Sequence, residues 1–478
     1  VDDEGTSITS DGFSNTAIAN IMGIFDGVSN FANIDFALTT SQAEADIQLA
    51  TNDLGGGLLG YMYPQGTSGS SDGLGILTSN PQYWNASSMQ VGGFMYGVVV
   101  HEIGHGLGLA HPHDTGGGSE VMLGVSSSGD IGDYGNINQS LYTVMSYNDG
   151  WQGHPTGQPS NSGAGYMASF AALDIGVLQS YYGANLEHNT QSNTYEIGSQ
   201  EYYETIWDAG GSDEIVVLSD AGSVVDLREA TLAYEIGGAG FVSYANDLQG
   251  GFTIAAGTVI EEATGGGGSD IITGNQAPNV LRGNGGDDVI AGGAGADRLV
   301  GGAGNDTFIL TAGDGIDTIT DFEIGSDAMS FQDGSGNPID PPAITQSRSS
   351  EGDRQYNIGE TAAFVLANTG NIVATGDVTI TGSVTPSSML SADTSSIADA
   401  DGLGEFSFRW VRDGIGIDGA TEADYRLTST DSGRTVWVEI TFTDGFGTVE
   451  TLTSSAVQID VGNNAPTGAP IITGTTTE

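Results

Sequence analysis

The sequence predicts a multidomain chain, α+β in its first part and all-β in the rest. Three observations carry that prediction. An apolar helical stretch, "FMYGVVVHEIGHGLGL", sits in an N-terminal region that mixes helical and strand patterns. A nine-residue repeat of glycine and aspartate runs from 265 to 309. Short alternating segments around Trp410 fill the C-terminal part.

Residues 1–185 hold the mixed pattern. "TAIANIMGIFDGVSNFANI" has helical periodicity, and "IDFAL", "ADIQLAT", "LLGYMYP" and "LGILTSN" are short strand candidates between turn residues. The histidine-bearing helix follows. "GYMASFAALDIGVLQSYYGAN" reads as a further helix, closed by glycine and asparagine.

The chain has six histidines in 478 residues, and four of them fall between His101 and His113. Helix positions four apart share a face, so His101 and His105 present two imidazoles side by side. Gly106 and Gly108 then break the helix, which lets His111 swing back toward the first two. Three neutral imidazoles with one position left open form the ligand set of a catalytic zinc. Glu102 sits beside that open position, placed to take a proton from a water. A buried helix whose histidines merely pack is the plainer alternative. A lone H-E-x-x-H would leave it open; the five fixed positions here do not.

The full pattern, H-E-x-x-H-x-x-G-x-x-H, is that of metzincins. Downstream, "LYTVMSYND" carries Met145 and, two residues on, Tyr147. Through "HEIGHGLGLAHP" and "YTVMSY" the chain resembles the serralysin family of metzincin metalloproteases. The resemblance implies a zincin-like catalytic domain with a twisted sheet above the active-site helix. The strand before that helix, Gly75–Asn80, would then be the edge to which a peptide adds. It implies zinc on His101, His105 and His111, with Met145 in the turn beneath. Tyr147 would be an extra zinc ligand that swings off and donates to the oxyanion. Glu102 would be the general base. His113, beyond Pro112, is expected to point elsewhere. His154 and His188 are expected to be solvated loop residues, and Asp114 a surface residue or local turn acceptor.

The repeat aligns as "GGGGSDIIT", "GNQAPNVLR", "GNGGDDVIA", "GGAGADRLV" and "GGAGNDTFI". Its sixth column runs Asp270, Asn279, Asp288, Asp297, Asp306, and its eighth Ile272, Leu281, Ile290, Leu299, Phe308. This is the nonapeptide that binds calcium in RTX proteins. Each glycine turn exposes carbonyls, aspartate adds a hard carboxylate, and the eighth residues stack inward as the core of a parallel β-roll. A flexible glycine linker would show no such phase. The second unit departs from the pattern at Pro278 and Asn279, so its calcium contribution is in question.

The serralysin resemblance extends to further calcium loops. "WDAGGSDEI" maps ligands onto Asp208, Gly210, Gly211 and Asp213, and "AAGTVIEEATGG" onto Val259 and Glu261. Within the nonapeptides it implies Gly266, Gly268, Asp270, Asn284, Gly286, Asp288, Gly293, Gly295, Asp297, Gly302, Gly304 and Asp306. Where the family has Arg-x-Gly this chain has "NTQSN". The resemblance covers about residues 1–330.

The expected domains are therefore a catalytic domain at 1–185 and an RTX β-roll at 186–330. A linker or extra strands follow at 331–369, then an immunoglobulin-like β-sandwich at 370–463 with Trp410 in its core. "PTGAPIITGTTTE" repeats "ATGDVTITGSVTP", so 464–478 reads as the start of a second β module, cut short from a longer precursor. "VDDEGTSITSDGFSN" lacks the basic and apolar parts of a signal peptide and reads as a mature end or an artificial start.

Composition narrows the partners. There are 61 acidic and 9 basic residues, a formal charge of −52, and no lysine or cysteine. The first basic residue is Arg228. Nucleic acid is excluded as a partner, because phosphate binding needs a basic surface. No apolar run is long enough to span a membrane. Without cysteine, metal ions rather than disulfides must do the stiffening. The expectation is a secreted, extracellular, monomeric bacterial zinc endopeptidase from a marine or saline setting. It would act on proteins or peptides, carry several structural calcium ions, and leave its β module free for an extracellular ligand. The rival is a calcium-dependent RTX adhesion or matrix-binding protein with a vestigial protease site.

Overall fold

The computed structural model describes residues 10–64, 72–116, 119–155, 164–323, 325–333, 336–338, 344–348, 354–358, 361–366, 373–399, 402–444 and 448–461. Residues 1–9 and the echoed segment 464–478 lie outside them. The chain divides into two compact units, Val1–Gln346 with Gln355–Ala367, and Ser347–Arg354 with Asn368–Glu478.

In the first unit, helix α1 (Asn15–Phe31) starts where Ser14 Oγ accepts the Ala17 N–H at 3.1 Å. Its apolar spacing buries Ile21, Ile24, Phe25 and Val28. Strands β1 (Gln48–Asn52), β2 (Gly60–Met62) and β3 (Leu74–Thr78) form a sheet in the order β1-β3-β2. Below it run α2 (Ala86–Met89), α3 (Phe94–Gly106) and α4 (Ala172–Tyr182). Met95, Val99, Val100 and Ile103 of α3 share one core with Leu77, Met145, Phe170 and Leu178.

Three sequence expectations change here. The strand at Gly75–Asn80 is not the edge: β3 is central, parallel to β1 and antiparallel to β2. The edge beside the helix is β2, whose three residues carry too short a pattern to rank it from sequence. "IDFAL" forms no strand. Its Phe36 instead packs on Phe25 with ring centroids 4.7 Å apart, sealing α1. The helix expected from Gly165 begins only at Ala172, because 166–168 pairs with Tyr203 through Tyr203 N–H to Tyr166 O (3.0 Å) and Ala168 N–H to Tyr203 O (2.8 Å).

The repeat winds into two parallel sheets. Glu262–Thr264, Val280–Gly285, Arg298–Ala303 and Asp317–Ile319 lie in one. Ile271–Thr273, Val289–Ala291, Thr307–Thr311 and Ala328–Gln332 lie in the other. Eighteen residues make one full turn, so eighth-position side chains stack in register on alternate sheets. Ile272, Ile290 and Phe308 face Leu281 and Leu299 across the roll, all at 0% exposure. The segment 331–369, open between linker and strands in the sequence, holds strands at Ile344–Arg348, Arg354–Ile358 and Thr361–Leu366. The last lies parallel to Asp317–Ile319 and adds Phe364 and Leu366 to the roll core.

The second unit is antiparallel. Thr379–Gly382, Met389–Asp393 and Asp424–Arg426 form one sheet; Ser407–Arg412, Thr435–Thr443 and Val449–Thr453 lie in another. Trp410 is fully buried with Tyr425, Val438 and Ile440, and its indole N–H donates to Glu422 O at 3.0 Å. No helix among the described residues is long and apolar enough to cross a membrane.

Candidate metal centre

Helix α3 ends at Gly106, and Gly108 at φ +99° turns the chain through a left-handed step. That step returns His111 to the helix face. His111 Nε2 lies 3.2 Å from His101 Nε2 and 3.0 Å from His105 Nε2. Tetrahedral zinc ligands at their usual bond length sit about 3.3 Å apart.

The outer nitrogens decide the chemistry. His101 Nδ1 donates to Val144 O (2.7 Å), His105 Nδ1 to Leu109 O (2.9 Å), and His111 Nδ1 to Asp114 Oδ2 (2.9 Å). These partners only accept, so each Nδ1 carries the ring proton and each Nε2 is bare. Burial pushes His101 down to about 3 and His105 to about 4, so neither gains a second proton at neutral pH. Three lone pairs therefore converge with no hydrogen between them. That donor set fits a zinc ion.

Glu102 points into the same cleft. It is 6% exposed, and its Oε2 has no hydrogen-bond partner. Burial pushes its carboxyl up to about 8. The Tyr147 ring lies 4.8 Å from that of His111 and 5.7 Å from that of His101, and the side chain is more than half exposed. Burial, with the charges of Glu102 and Asp114, raises its pKa, so the hydroxyl stays a donor. Met145 is 1% exposed, and its sulfur lies where a Cβ on Gly104 would come within 2.7 Å, so only glycine at 104 lets this turn close under the helix.

Two clefts meet at Glu102 and His101. One, of about 360 Å³, is lined by Leu58, Phe94, Val98, Val144, Tyr166 and Met167, with Asp149 at its rim. The other, of about 1020 Å³, runs past β2, His105, His111, Asp114, Glu120 and Tyr181.

Two roles that matter here were not read from sequence. Asp114, expected as a surface residue or local turn acceptor, does accept Gly116 N–H and also orients His111; its position three residues on was the available signal. Asp174, on α4, accepts from Thr143 Oγ1 (2.7 Å), Val144 N–H (2.8 Å) and Ala171 N–H (3.0 Å). It thereby fixes the carbonyl that holds His101, a link between distant segments that no spacing announces. His154 is corrected: it is 5% exposed, buried against Trp151 and Tyr244 rather than solvated. His188 is half-buried. The His113 ring stacks on His111 with centroids 5.0 Å apart and lies 4.7 Å from the Tyr147 ring, with its Nε2 3.6 Å from Asp114 Oδ2, so it stands beside the cluster.

The roll repeats the theme with carboxylates. Asp288, Asp297 and Asp306 each accept, through Oδ1, the N–H of the residue 18 positions earlier, at 2.8–3.0 Å. Their Oδ2 atoms are buried without hydrogen-bond partners. Two rungs beyond the repeat were missed: Asp317 accepts from Asp297 N–H, and Asp327 from Asp306 N–H, at separations of 20 and 21 residues. Asp270 differs, with Oδ2 accepting Gly266 N–H. At the upstream loop, Asp213 is fully buried with a bare Oδ2, and Glu261 Oε2 accepts its N–H at 2.9 Å. Asp208 takes Gly210 N–H and the Tyr195 hydroxyl. The "NTQSN" loop packs on this site through Asn193 N–H to Asp213 Oδ1 (2.7 Å). Hard oxygens without protons suit calcium.

A sequence-family model described as the RTX calcium-binding nonapeptide repeat (4 copies) matches residues 264–299 and 273–308. The chain is 31% identical over 266 residues to metallopeptidase AprA of Pseudomonas marginalis, covering 52% of this chain and 52% of that protein. It is 33% identical over 269 residues to a serralysin of Photorhabdus luminescens, covering 52% and 50%. To a serralysin of Proteus mirabilis it is 32% identical over 213 residues, covering 42% and 39%. The chain spans about half the length of the curated relatives it matches. The serralysin resemblance carried by the two motifs thus extends over about half of this sequence.

Asp174→Ala should weaken zinc retention about 10–100-fold, as loss of a support behind a metal-holding histidine does elsewhere. Competition with a chromogenic chelator measures this; unchanged retention would remove Asp174 from the positioning role.

Stability should also depend on pH. Burial, then neighbouring carboxylates, pushes Asp288 and Asp317 up to about 7 and Asp213 up to about 6. Raised carboxyl values mean that the folded, calcium-free chain holds more protons than the unfolded one between about pH 4 and 7. Its stability is fully present below that window and is lost as pH rises through it. Melts followed by strand signal in calcium-free buffer should fall in midpoint from pH 5 to pH 8, and saturating calcium should abolish the fall.

Proposed function

We propose that this protein is a secreted zinc-dependent endopeptidase of the serralysin type that hydrolyses peptide bonds in extracellular proteins. The observation that carries the reading is the convergence of three deprotonated Nε2 atoms beside the buried carboxyl of Glu102. Residues 1–185 would be the catalytic domain with the zincin-like fold, 186–330 the calcium-stabilised roll, and 370–463 an immunoglobulin-like module. That module would be free to bind an extracellular ligand, with the chain acting as a monomer.

His101, His105 and His111 would hold zinc, which supplies a Lewis acid for the scissile carbonyl and a charge that draws Glu102 from about 8 into its carboxylate form. Glu102 takes the proton from the attacking water and passes it to the leaving amine. Tyr147 donates from its hydroxyl to the oxyanion, which gathers charge only as the carbonyl is attacked. An extended substrate adds to the outer edge of β2, whose Gly60 stands directly against Glu102. The 360 Å³ cleft beside the glutamate takes an apolar side chain of the substrate. Calcium would be held by Asp208, Asp213 and Glu261 and by the aspartate turns of the roll. The charge of −52 suits a saline medium, where ions screen self-repulsion. An adhesion protein with a vestigial site would have no reason to keep Glu102, Tyr147 and all three histidine tautomers arranged for hydrolysis.

Glu102→Ala should leave zinc bound and casein hydrolysis at background. Near-parental cleavage by that variant would overturn the mechanism.

Substrate charge should matter as well. Glu102, Asp114, Glu120 and Asp149 line the clefts, and no lysine or arginine precedes Arg228. At low ionic strength kcat/KM should favour cationic over matched anionic peptides, and the preference should fade with added salt. Equal values at low salt would remove the idea.

A further inference from the structure

The turn at 274–279 belongs to the repeat but not to its chemistry. In the aspartate turns the sixth residue presents acceptors only. At the second turn the sixth residue is Asn279, 1% exposed, and its amide works in the opposite sense. Oδ1 accepts Asn275 N–H at 2.8 Å, while Nδ2 donates to Glu261 O at 3.1 Å and Ile260 O at 3.3 Å. Only this orientation of the amide is consistent with its neighbours. The flipped one would set Oδ1 against two carbonyl oxygens and Nδ2 against an N–H.

Asn275, second in the same turn, adds a further amide. Its Nδ2 donates to Ile260 O at 2.7 Å and Leu227 O at 3.2 Å, and its Oδ1 accepts Ala277 N–H at 2.8 Å. Backbone carbonyls at 227, 260 and 261 thus face the two amides and each receives a side-chain N–H, the spot at Ile260 O receiving both. Converging carbonyls are what calcium takes from this class of turn. Here the partial positive charge is built into the chain. An NH₂ group aimed at the spot repels a cation, so these residues do not fit calcium.

We infer that Asn275 and Asn279 form a calcium-independent clasp that takes the place of a metal ion between this turn and the strand ends at 227 and 260–261. The clasp joins the roll to the segment that carries Glu261, and it holds whether or not calcium is present. The aspartate turns whose Oδ2 atoms are bare, at Asp288, Asp297 and Asp306, depend on calcium once their carboxyls ionise. The inference rests on the reading that those aspartate turns take calcium.

The two mechanisms predict different dependence on calcium. Asn279→Ala should lower the melting temperature by roughly 3–8 °C, equally in calcium-free and calcium-saturated buffer, with bound calcium unchanged by elemental analysis. Asn279→Asp should place a carboxylate against two carbonyls, so its loss should be larger without calcium and be relieved by calcium. Asp297→Ala is the contrast: lower midpoint and less bound calcium when saturated, but a smaller loss in calcium-free buffer, where relief of repulsion offsets the lost hydrogen bond from Asn279 N–H. An Asn279→Ala loss confined to the calcium-saturated protein, with less calcium bound, would make Asn279 a ligand and overturn the clasp. So would an Asn279→Asp protein that behaves as the parent in both buffers. If instead Asp297→Ala shows no calcium dependence, the calcium reading of the roll fails, while the Asn279→Ala result still tests the hydrogen bonds.

Discussion

Unshared electron pairs brought together out of water repel one another, and the first compact unit is arranged around two such convergences. At the histidine cluster, acceptors on the outer nitrogens force the ring protons outward and leave His101 and His105 Nε2 bare within 3.2 Å of His111 Nε2. Along the roll, buried carboxylates use one oxygen to receive an N–H from the turn before and leave the other bare. In both places the protein fixes the geometry of the donor atoms, and a dication would complete the interaction. Neither arrangement is a stable end in itself. The pKa directions agree: imidazoles are pushed down and carboxyls up, each group tending to its neutral form until a positive charge arrives.

The two convergences are supported differently. The nitrogens are positioned by packing: a helix buried on all but one face, a methionine turn wedged against Gly104, and Asp174 fixing the carbonyl that His101 grips. These contacts fix where each ring stands. The carboxylates are positioned by each other through rungs one roll turn apart, with strands of three to six residues between them. Strands that short contribute little pairing of their own. Hence packing holds the first site in place, whereas the roll, on the proposed reading, draws much of its folding energy from its ions.

Much of this was legible in the sequence because it obeys fixed periods. Four-residue spacing placed His101 and His105 on one face, and nine-residue phasing gave the inward column from Ile272 to Phe308. What escaped were features set by tertiary contact. Strand β2 is three residues long, and its role as the edge comes from which neighbour β3 accepts. His154 is buried because the rings of Trp151, Tyr203 and Tyr244 close around it, which a loop of polar residues gives no hint of. Asp317 and Asp327 continue the ladder at separations of 20 and 21, so an alignment in nines passes over them. Asn279 was visible as a departure from the column, but its role depends on carbonyls at 260 and 261 that only the fold brings near.

That departure bears on how the chain copes with its own charge. Every aspartate turn adds a negative group to a protein that already carries −52, and within 265–309 only Arg282 and Arg298 oppose it. Arg282 is already committed to Glu262 at 2.9 Å. A fifth carboxylate at 279 would face backbone oxygens directly and depend on a calcium of its own. Asparagine keeps the size and the acceptor that the turn requires and exchanges the repelling oxygen for a donor. The roll therefore gains a neutral, permanently satisfied joint next to Glu261, where it meets the upstream loop. Calcium-dependent cohesion is left to the turns farther along the repeat.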